Sequence, residues 1–555
     1  MEDSFEKENL DDFIIKDKKY RRKKRIKLIL IIFTILVIIG IIVVIGIIIS
    51  EIIKEKAKYK GGQIICSYLT SEDNEKILLI NINDDTKYDL IIGGINYGKN
   101  NYHTFEKSGL HNVIFHFKNK LDSLEGLFQN INNLIEVDFS KLETENIKSM
   151  ANLCHSCSNL IKINFDNKTP NLENTRTMLT NCYSLNETNL KFDTSKVTQM
   201  NEMFSGCKQL VYLDLTNFYL ENIINTEYMF EDCYKLKEIK FNNDTKTNNL
   251  KKMNTMFQNC HSLEYIDTKI FKVDKLESFS YVFEECHSLK EIDLSHFNTK
   301  NINSYQRTFL NCARLEYIDI SNFDLSQTKD IRMESTFYGC INLKSIKFSN
   351  IKTEELVAIN NIFYNCHSLI SLDLSSVNFN SILLAESTFF NCTALEYISL
   401  PNNMTSLRKT VGMFENCYNL KSINLEFLKN ANHLINTNEM FKNCVNLTEI
   451  EFPEIETHEL LFANEMFSGC ISLTSINLEK LKIDNLKYIT KMFYNCINLE
   501  YLNIYHLNTT KIVNADNIFG GIPTSRAIKL KIDKNITGNI LMEAICSLDF
   551  ILINE

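Results

Sequence analysis

A chain of 555 residues with 44% apolar and 23% charged residues has the composition of a folded protein, not a disordered one. Its net charge of −9 is unevenly spread: residues 1–60 carry 14 Lys+Arg against 9 Asp+Glu, a net of +5, which leaves −14 for residues 61–555. An acidic remainder repels polyanions, so nucleic acid is excluded as an expected partner.

The first element in chain order reads as a membrane span. Residues 28–49 are 22 positions without a charge, enough at ~1.5 Å per residue to cross a ~30 Å hydrocarbon layer. Nine positive residues lie between positions 16 and 27, against four beyond the span (Lys54, Lys56, Lys58 and Lys60). That asymmetry keeps residues 1–27 as a cytoplasmic tail and exports everything after the span. The apolar stretch is too long for a cleaved signal, and Ser50-Glu51-Ile52 offers no small-residue cleavage site. The expectation is a single-pass plasma-membrane protein held by an uncleaved signal-anchor, with its N-terminus cytoplasmic and the rest extracellular.

Residues 50–118 read as a juxtamembrane linker and a small β-rich cap, from alternating stretches at 76–82, 88–95 and 113–117 broken by Gly93, Gly94, Gly98 and Gly109. Residues 119–522 then repeat one pattern every 25–28 positions, about 16 units in all. Cys marks the beat at 157, 182, 207, 233, 260, 286, 312, 340, 366, 392, 417, 444, 470 and 496, and Ile131 and Ile522 keep the register at the two ends. Apolar residues stand at −7, −4, −3 and 0 from each Cys, as in Met200, Met203, Phe204 and Cys207. That spacing predicts a short α-helix, ended by the Asn or Gly that commonly precedes the Cys. At +3, +6 and +8 come residues such as Leu289, Ile292 and Leu294, alternating with polar positions at +5 and +7, which predicts a half-buried strand. One unit cannot bury its stripe alone. Stacked units give an α/β leucine-rich-repeat solenoid, with a parallel sheet on one face, short helices on the other and a continuous Phe spine. Residues 523–555 read as a C-terminal cap.

The segment KFDTSKVTQMNEMFSGCKQLVYLDLTNF at residues 191–218 resembles the BspA-type leucine-rich-repeat surface proteins. The resemblance covers about residues 120–522, and it implies a cell-surface molecule engaged in adhesion and binding of host or matrix proteins. Thr308, Thr336 and Thr388 replace the helix Met, and Cys154 stands where Phe is expected.

Seventeen cysteines in an exported chain suggest disulfides, yet fourteen occupy one core column. Stacked helices ~8–10 Å apart would exceed the ~7 Å reach of a bridge, so a reduced structural ladder is expected. Cys66 and Cys546 lie at opposite ends, and Cys154-x-x-Cys157 lacks a second pair for a metal site. His155, His261, His287 and His367 follow Cys directly, but that position also accepts Lys, Tyr, Ala, Ile, Thr and Val, so they read as loop residues. No catalytic constellation and no cofactor are expected. Eight Asn-x-Ser/Thr sequons are compatible with glycosylation and show nothing more.

The informative surface is the outward strand face, whose +5 and +7 columns hold Tyr212, Asp214, Tyr265, Asp267, Glu291, Asp293, Tyr317 and Asp319. Tyr beside acids suits protein recognition. Asp267, Asp293 and Asp319 are a weak candidate Ca²⁺ site, if like charges ~5 Å apart raise one pKa or draw in a cation. The expected function is recognition of a protein or cell surface, with self-association into a surface coat as the alternative.

Overall fold

The computed structural model describes residues 62–532 and 550–552 apart from 83, 84, 350, 506 and 526, together with 33–49 and residues 19, 23, 24, 27 and 30. Cys546, most of the expected C-terminal cap and residues 28, 29, 31 and 32 of the expected span lie outside the described residues. Residues 33–49 are helical with exposed side chains. Among the described residues no helix is long and apolar enough to cross a membrane.

From residue 62 onward alternation of apolar and polar residues produces strands. The segment before the repeats holds β1 (Gln63–Thr70), β2 (Glu75–Leu78), β3 (Tyr88–Ile92), β4 (Ile95–Asn96), β5 (Tyr102–Phe105) and β6 (Gly109–Phe117). The first coils add β7 (Leu134–Lys141), β8 (Lys162–Phe165) and β9 (Glu187–Leu190). One sheet runs β4-β3-β6-β1-β7-β8-β9. It is antiparallel as far as the β1–β7 pair and parallel from β7 to β9.

Most later coils contribute a strand of three or four residues paired in parallel with a neighbour, as in Tyr212–Leu215 with Glu238–Phe241, while the coils of Cys260, Cys286 and Cys417 run through the same positions without a named strand. The short helix expected at −7 to 0 is absent: the segment is a run of turns in every coil, and the architecture is a β-solenoid of about 15 turns. The backbone says why. Residues −5 and −1 have positive φ at all sixteen corners, from Gly126 and Asn130 to Asn517 and Gly521. An α-helix cannot pass through a left-handed residue every fourth position. In the coil ending at Cys157, the amides of Leu153, His155 and Cys157 bond three residues back within the coil. Those of Met150, Asn152, Cys154 and Ser156 donate to Asn174, Arg176, Met178 and Thr180 of the next coil. Every second amide thus leaves the coil as in a parallel sheet. The buried set −7, −4, −3 and 0 is common to both geometries, so apolar periodicity alone could not separate them.

Asn or Gly at −1 suits the left-handed corner. Asn391 Nδ2 donates to Asn365 Oδ1 (2.7 Å) and Asn443 Nδ2 to Asn416 Oδ1 (2.8 Å), forming amide ladders. Gly339 sits so close to the Asn311 amide that a Cβ there would lie 1.9 Å from its Oδ1.

Inside the corners, Phe204 and twelve successive rings to Phe519 stack with centroids 5.3–5.9 Å apart and planes within 18°. Such pairs contribute roughly 0.5–1.5 kcal/mol each beyond burial. These spacings show that neighbouring coils stand much closer than packed helices, so distance is not what keeps the cysteines apart. Direction is: each core thiol points at a carbonyl of the preceding coil, as Cys312 Sγ to Phe283 O (3.2 Å) and Cys366 Sγ to Phe337 O (3.2 Å). All sixteen described cysteines are buried and free. The Met-to-Thr departures follow the same logic. Thr308 Oγ1 donates to Phe279 O (2.8 Å) and Tyr305 O (2.7 Å), and Thr336 Oγ1 to Tyr305 O (2.9 Å) and Met333 O (2.7 Å).

The first coil has carbonyls but no preceding coil. Asn81 replaces one, its amide donating to Leu127 O (2.8 Å) and its Nδ2 to Gln129 O (2.8 Å).

Candidate recognition face

Residues at +6 and +8 turn inward and those at +5 and +7 outward, so Tyr212, Tyr265, Tyr317 and Tyr397 stand 41%, 55%, 48% and 52% exposed. In the register of the sheet Tyr212 pairs with Glu238 and Asp214 with Lys240, then Tyr317 with Ser345 and Asp319 with Lys347. Lys240 Nζ lies over the Tyr212 ring, 5.3 Å from its centroid and 4.0 Å from Glu238. Lys421 repeats the arrangement over Tyr397 at 5.2 Å, held 2.5 Å from Glu396.

The candidate Ca²⁺ triad is not assembled. Only Asp319 lies in a strand; Asp267 caps the 3-10 turn Thr268–Ile270, its Oδ1 accepting the Lys269 amide at 3.0 Å. Asp293 Oδ1 accepts the Ser295 hydroxyl (2.6 Å) and amide (3.0 Å), and Asp319 pairs with Lys347 at 2.9 Å. The Ser295 hydroxyl and amide hold the Asp293 carboxyl below its ordinary value, the reverse of the rise that mutual repulsion would cause. Among the described residues no three His, Cys, Asp or Glu are placed to hold a metal. The Asp at +7 is a turn cap, a role that Asp214 also fills by accepting the Thr216 amide (3.0 Å).

Sequence reasoning missed a second column. At +1 from Cys, Lys208 Nζ lies 4.5 Å from the Tyr183 centroid and 5.5 Å from that of Tyr234. Tyr234 stacks on His261 (4.9 Å) and His261 on His287 (4.7 Å), so these histidines form part of a ring stack, not independent loop residues. Burial, then the neighbouring His287, lowers the His261 pKa. The signal was there in the recurrence of Tyr, Lys and His at one offset.

In the core between these columns, burial pushes thiols such as Cys312 and Cys366 far above their ordinary pKa, and a neutral thiol is unreactive.

The family model described as "Mycoplasma protein of unknown function, DUF285" matches residues 122–243, 237–332 and 408–531, more than half of the 555 residues. The model for the BspA type leucine rich repeat region matches six copies over residues 306–438. Among solved structures, a leucine rich cell surface protein from Faecalibacterium prausnitzii is similar at 17% identity and TM-score 0.28, over 70% of this chain and 83% of that one. A leucine-rich repeat protein from Eubacterium ventriosum is similar at 14% identity and TM-score 0.27, over 58% and 80%. No curated protein matches. The chain belongs to the DUF285 family, and its solenoid carries BspA-type leucine-rich repeats.

Proposed function

We propose that this chain is a membrane-anchored surface protein that binds a protein or cell-surface ligand through the outward strand face, centred on Tyr212, Tyr265, Tyr317 and the acids beside them. The observation that carries the reading is a column of half-exposed tyrosines, Tyr212, Tyr265, Tyr317 and Tyr397, on the outward strand face. A Tyr there offers apolar area and a hydrogen-bonding tip at low entropic cost. The anchoring rests on the charge-free stretch 28–49 and its flanking positive residues. Protease added to intact cells should remove the repeats and spare residues 1–25; digestion of that tail from outside would sink the orientation. Binding of cells displaying the full chain to a ligand surface should fall when Tyr212 and Tyr265 become Ala.

The alternative, self-association into a coat, draws support from one patch on another face. Phe462 stacks on Tyr488 (5.0 Å) beside Val513, which is 53% exposed. Concentration-dependent association of the full chain in nanodiscs, removed by Tyr488→Lys, would favour it.

A further inference from the structure

We infer that the square formed by Tyr265, Asp267, Glu291 and Asp293 is a receptor for a lysine or arginine side chain on the protein that this face binds. The inference rests on the recognition reading above and adds the chemistry of the partner.

The molecule provides its own template. Two coils earlier, the corresponding positions are Tyr212, Asp214, Glu238 and Lys240. There the Lys240 ammonium sits over the Tyr212 ring, 4.0 Å from Glu238, and Tyr212, then Glu238 and Asp214, raise its pKa. The Lys290 amide donates to Glu264 O as the Lys237 amide does to Val211 O, and in this shared register Tyr265, Asp267 and Glu291 correspond to the ring and both acids, with Asp293 in place of the lysine. The second square therefore has the binding elements of the first without its cation, and one more negative charge.

Three lysines of the neighbouring strand columns are already engaged. Lys290 is paired with Glu264 at 2.7 Å and Lys347 with Asp319 at 2.9 Å. Lys240 stands over Tyr212, while His296 and Lys269 lower the Asp293 pKa through space, less than the Ser295 hydroxyl and amide do. Tyr265 and Tyr317, at 55% and 48% exposure, leave ring surface for a guest. A bare metal ion fits less well than an organic cation. One oxygen of Asp267 and one of Asp293 are already spent on their own turns, and no metal-holding group forms here. A guanidinium or ammonium on a flexible stem can instead lie on the ring and reach the remaining carboxylate oxygens.

The test uses the full chain in nanodiscs and a ten-residue alternating Lys-Gly peptide, with a norleucine-Gly peptide of the same length as control, followed by calorimetry at low and physiological salt. The lysine peptide should bind, weaken with salt, and lose about tenfold or more in affinity in Asp293→Lys, which rebuilds the Lys240 arrangement and fills the square from within. Glu291→Gln, which preserves shape, should lose several-fold, and the remote Glu449→Gln should lose nothing. Equal binding by Asp293→Lys and the parent, or an equal loss with Glu449→Gln, would overturn the receptor and leave only diffuse charge attraction. If no peptide binds while Tyr212→Ala still abolishes attachment to a ligand surface, the cation square falls and the recognition reading stands.

Discussion

In the corners, −3 is Phe in every coil from Phe204 to Phe519 and 0 is Cys from Cys157 to Cys496, whereas +5 on the strand face runs through Glu136, Lys162, Glu187, Tyr212, Glu238 and Tyr265 without repeating a rule. Both regions stack along the same axis at the same spacing. The corner column is enclosed by the core and by the coils above and below, so each side chain must match what the adjacent coil presents: a ring on a ring, a thiol on a carbonyl, an amide on an amide. The strand column has water on one side and tolerates any polar or aromatic residue. The difference teaches where to look for function in a repeat protein. Chemistry that recurs in every coil is architecture, and recognition belongs to columns that change.

The largest effect expected from breaking the corners is alkaline. Burial raises the core thiol pKa values in the fold, to about 12 for Cys496 and further for most others, above an unfolded value of ~8.5. A raised folded value means that the stabilisation is fully present below pH ~8.5 and is lost as pH climbs toward the folded values, at up to ~1.4 kcal/mol per pH unit for each thiol. With so many thiols in series, circular dichroism under reducing conditions should show a steep loss of structure between roughly pH 9 and 11. Replacing Cys366, Cys392 and Cys417 together by Ala should make that transition shallower. An unchanged alkaline midpoint and slope would remove the thiols from the account.

Next in size is the spine. Phe309 stacks on Phe283 and Phe337, both at 5.6 Å, and Phe309→Ala should cost about 3–5 kcal/mol in urea unfolding through the cavity left behind. Gly339→Ala should cost about 1–3 kcal/mol, since it adds left-handed strain to a Cβ only 1.9 Å from Asn311 Oδ1. Gly412 sharpens the point: at φ 57 its added Cβ would meet nothing closer than 3.2 Å, so Gly412→Asn should be neutral within about 0.5 kcal/mol. Equal costs at the two glycines would show that the amide ladder places no demand on the corner.

The repeat, its register, the Phe spine and the inward set of each coil were legible because burial imposes a periodicity that one sequence displays. The corner conformation was not. Met200, Met203, Phe204 and Cys207 satisfy a helical face, and the contrary sign lay in Glu202 and Gly206, whose left-handed φ values of 57° and 75° no apolar pattern reports. The candidate face was legible as a set of outward residues. Its electrostatics were not, because Ser295 and Thr216 lie two residues past Asp293 and Asp214 and turn apparent surface charges into turn caps. Asn81, which closes the first coil, gave no signal, since one polar residue in a cap segment looks like any other.

A smaller effect distinguishes the corner surface from its interior. Burial, then the neighbouring Glu439, pushes Glu415 up to about 7, while Lys442 lies 3.7 Å from it and 2.9 Å from Glu465. The folded value exceeds the unfolded ~4.3, so stabilisation present at low pH is lost as pH rises through 7. The thermal midpoint should therefore decline modestly from pH 6 to 8, by the equivalent of about 1 kcal/mol. Glu439→Gln should flatten that decline, and a slope that survives the change would assign it elsewhere.

The smallest effect on stability should come from the strand face, where the largest effect on binding is expected. Tyr212 and Tyr397 are 41% and 52% exposed, and each touches a lysine of the following coil. Removing the ring forfeits one exposed cation–π contact, about 0.5–1 kcal/mol at most, and releases a lysine into water where it is well solvated. Tyr212→Ala and Tyr397→Ala should therefore leave the urea midpoint within about 0.5 kcal/mol of the parent, in contrast to Phe309→Ala. If the face recognises a ligand, the same substitutions should weaken attachment of the full chain to its ligand surface, because a half-exposed Tyr is the kind of side chain whose buried area on binding outweighs its value in the fold. Comparable losses of stability at Tyr212 and Phe309 would mean that the outward column is as architectural as the corner. Unchanged stability with unchanged attachment would mean that the variable face is variable only because nothing constrains it, and the apolar patch at Phe462 and Tyr488 would become the surface to pursue.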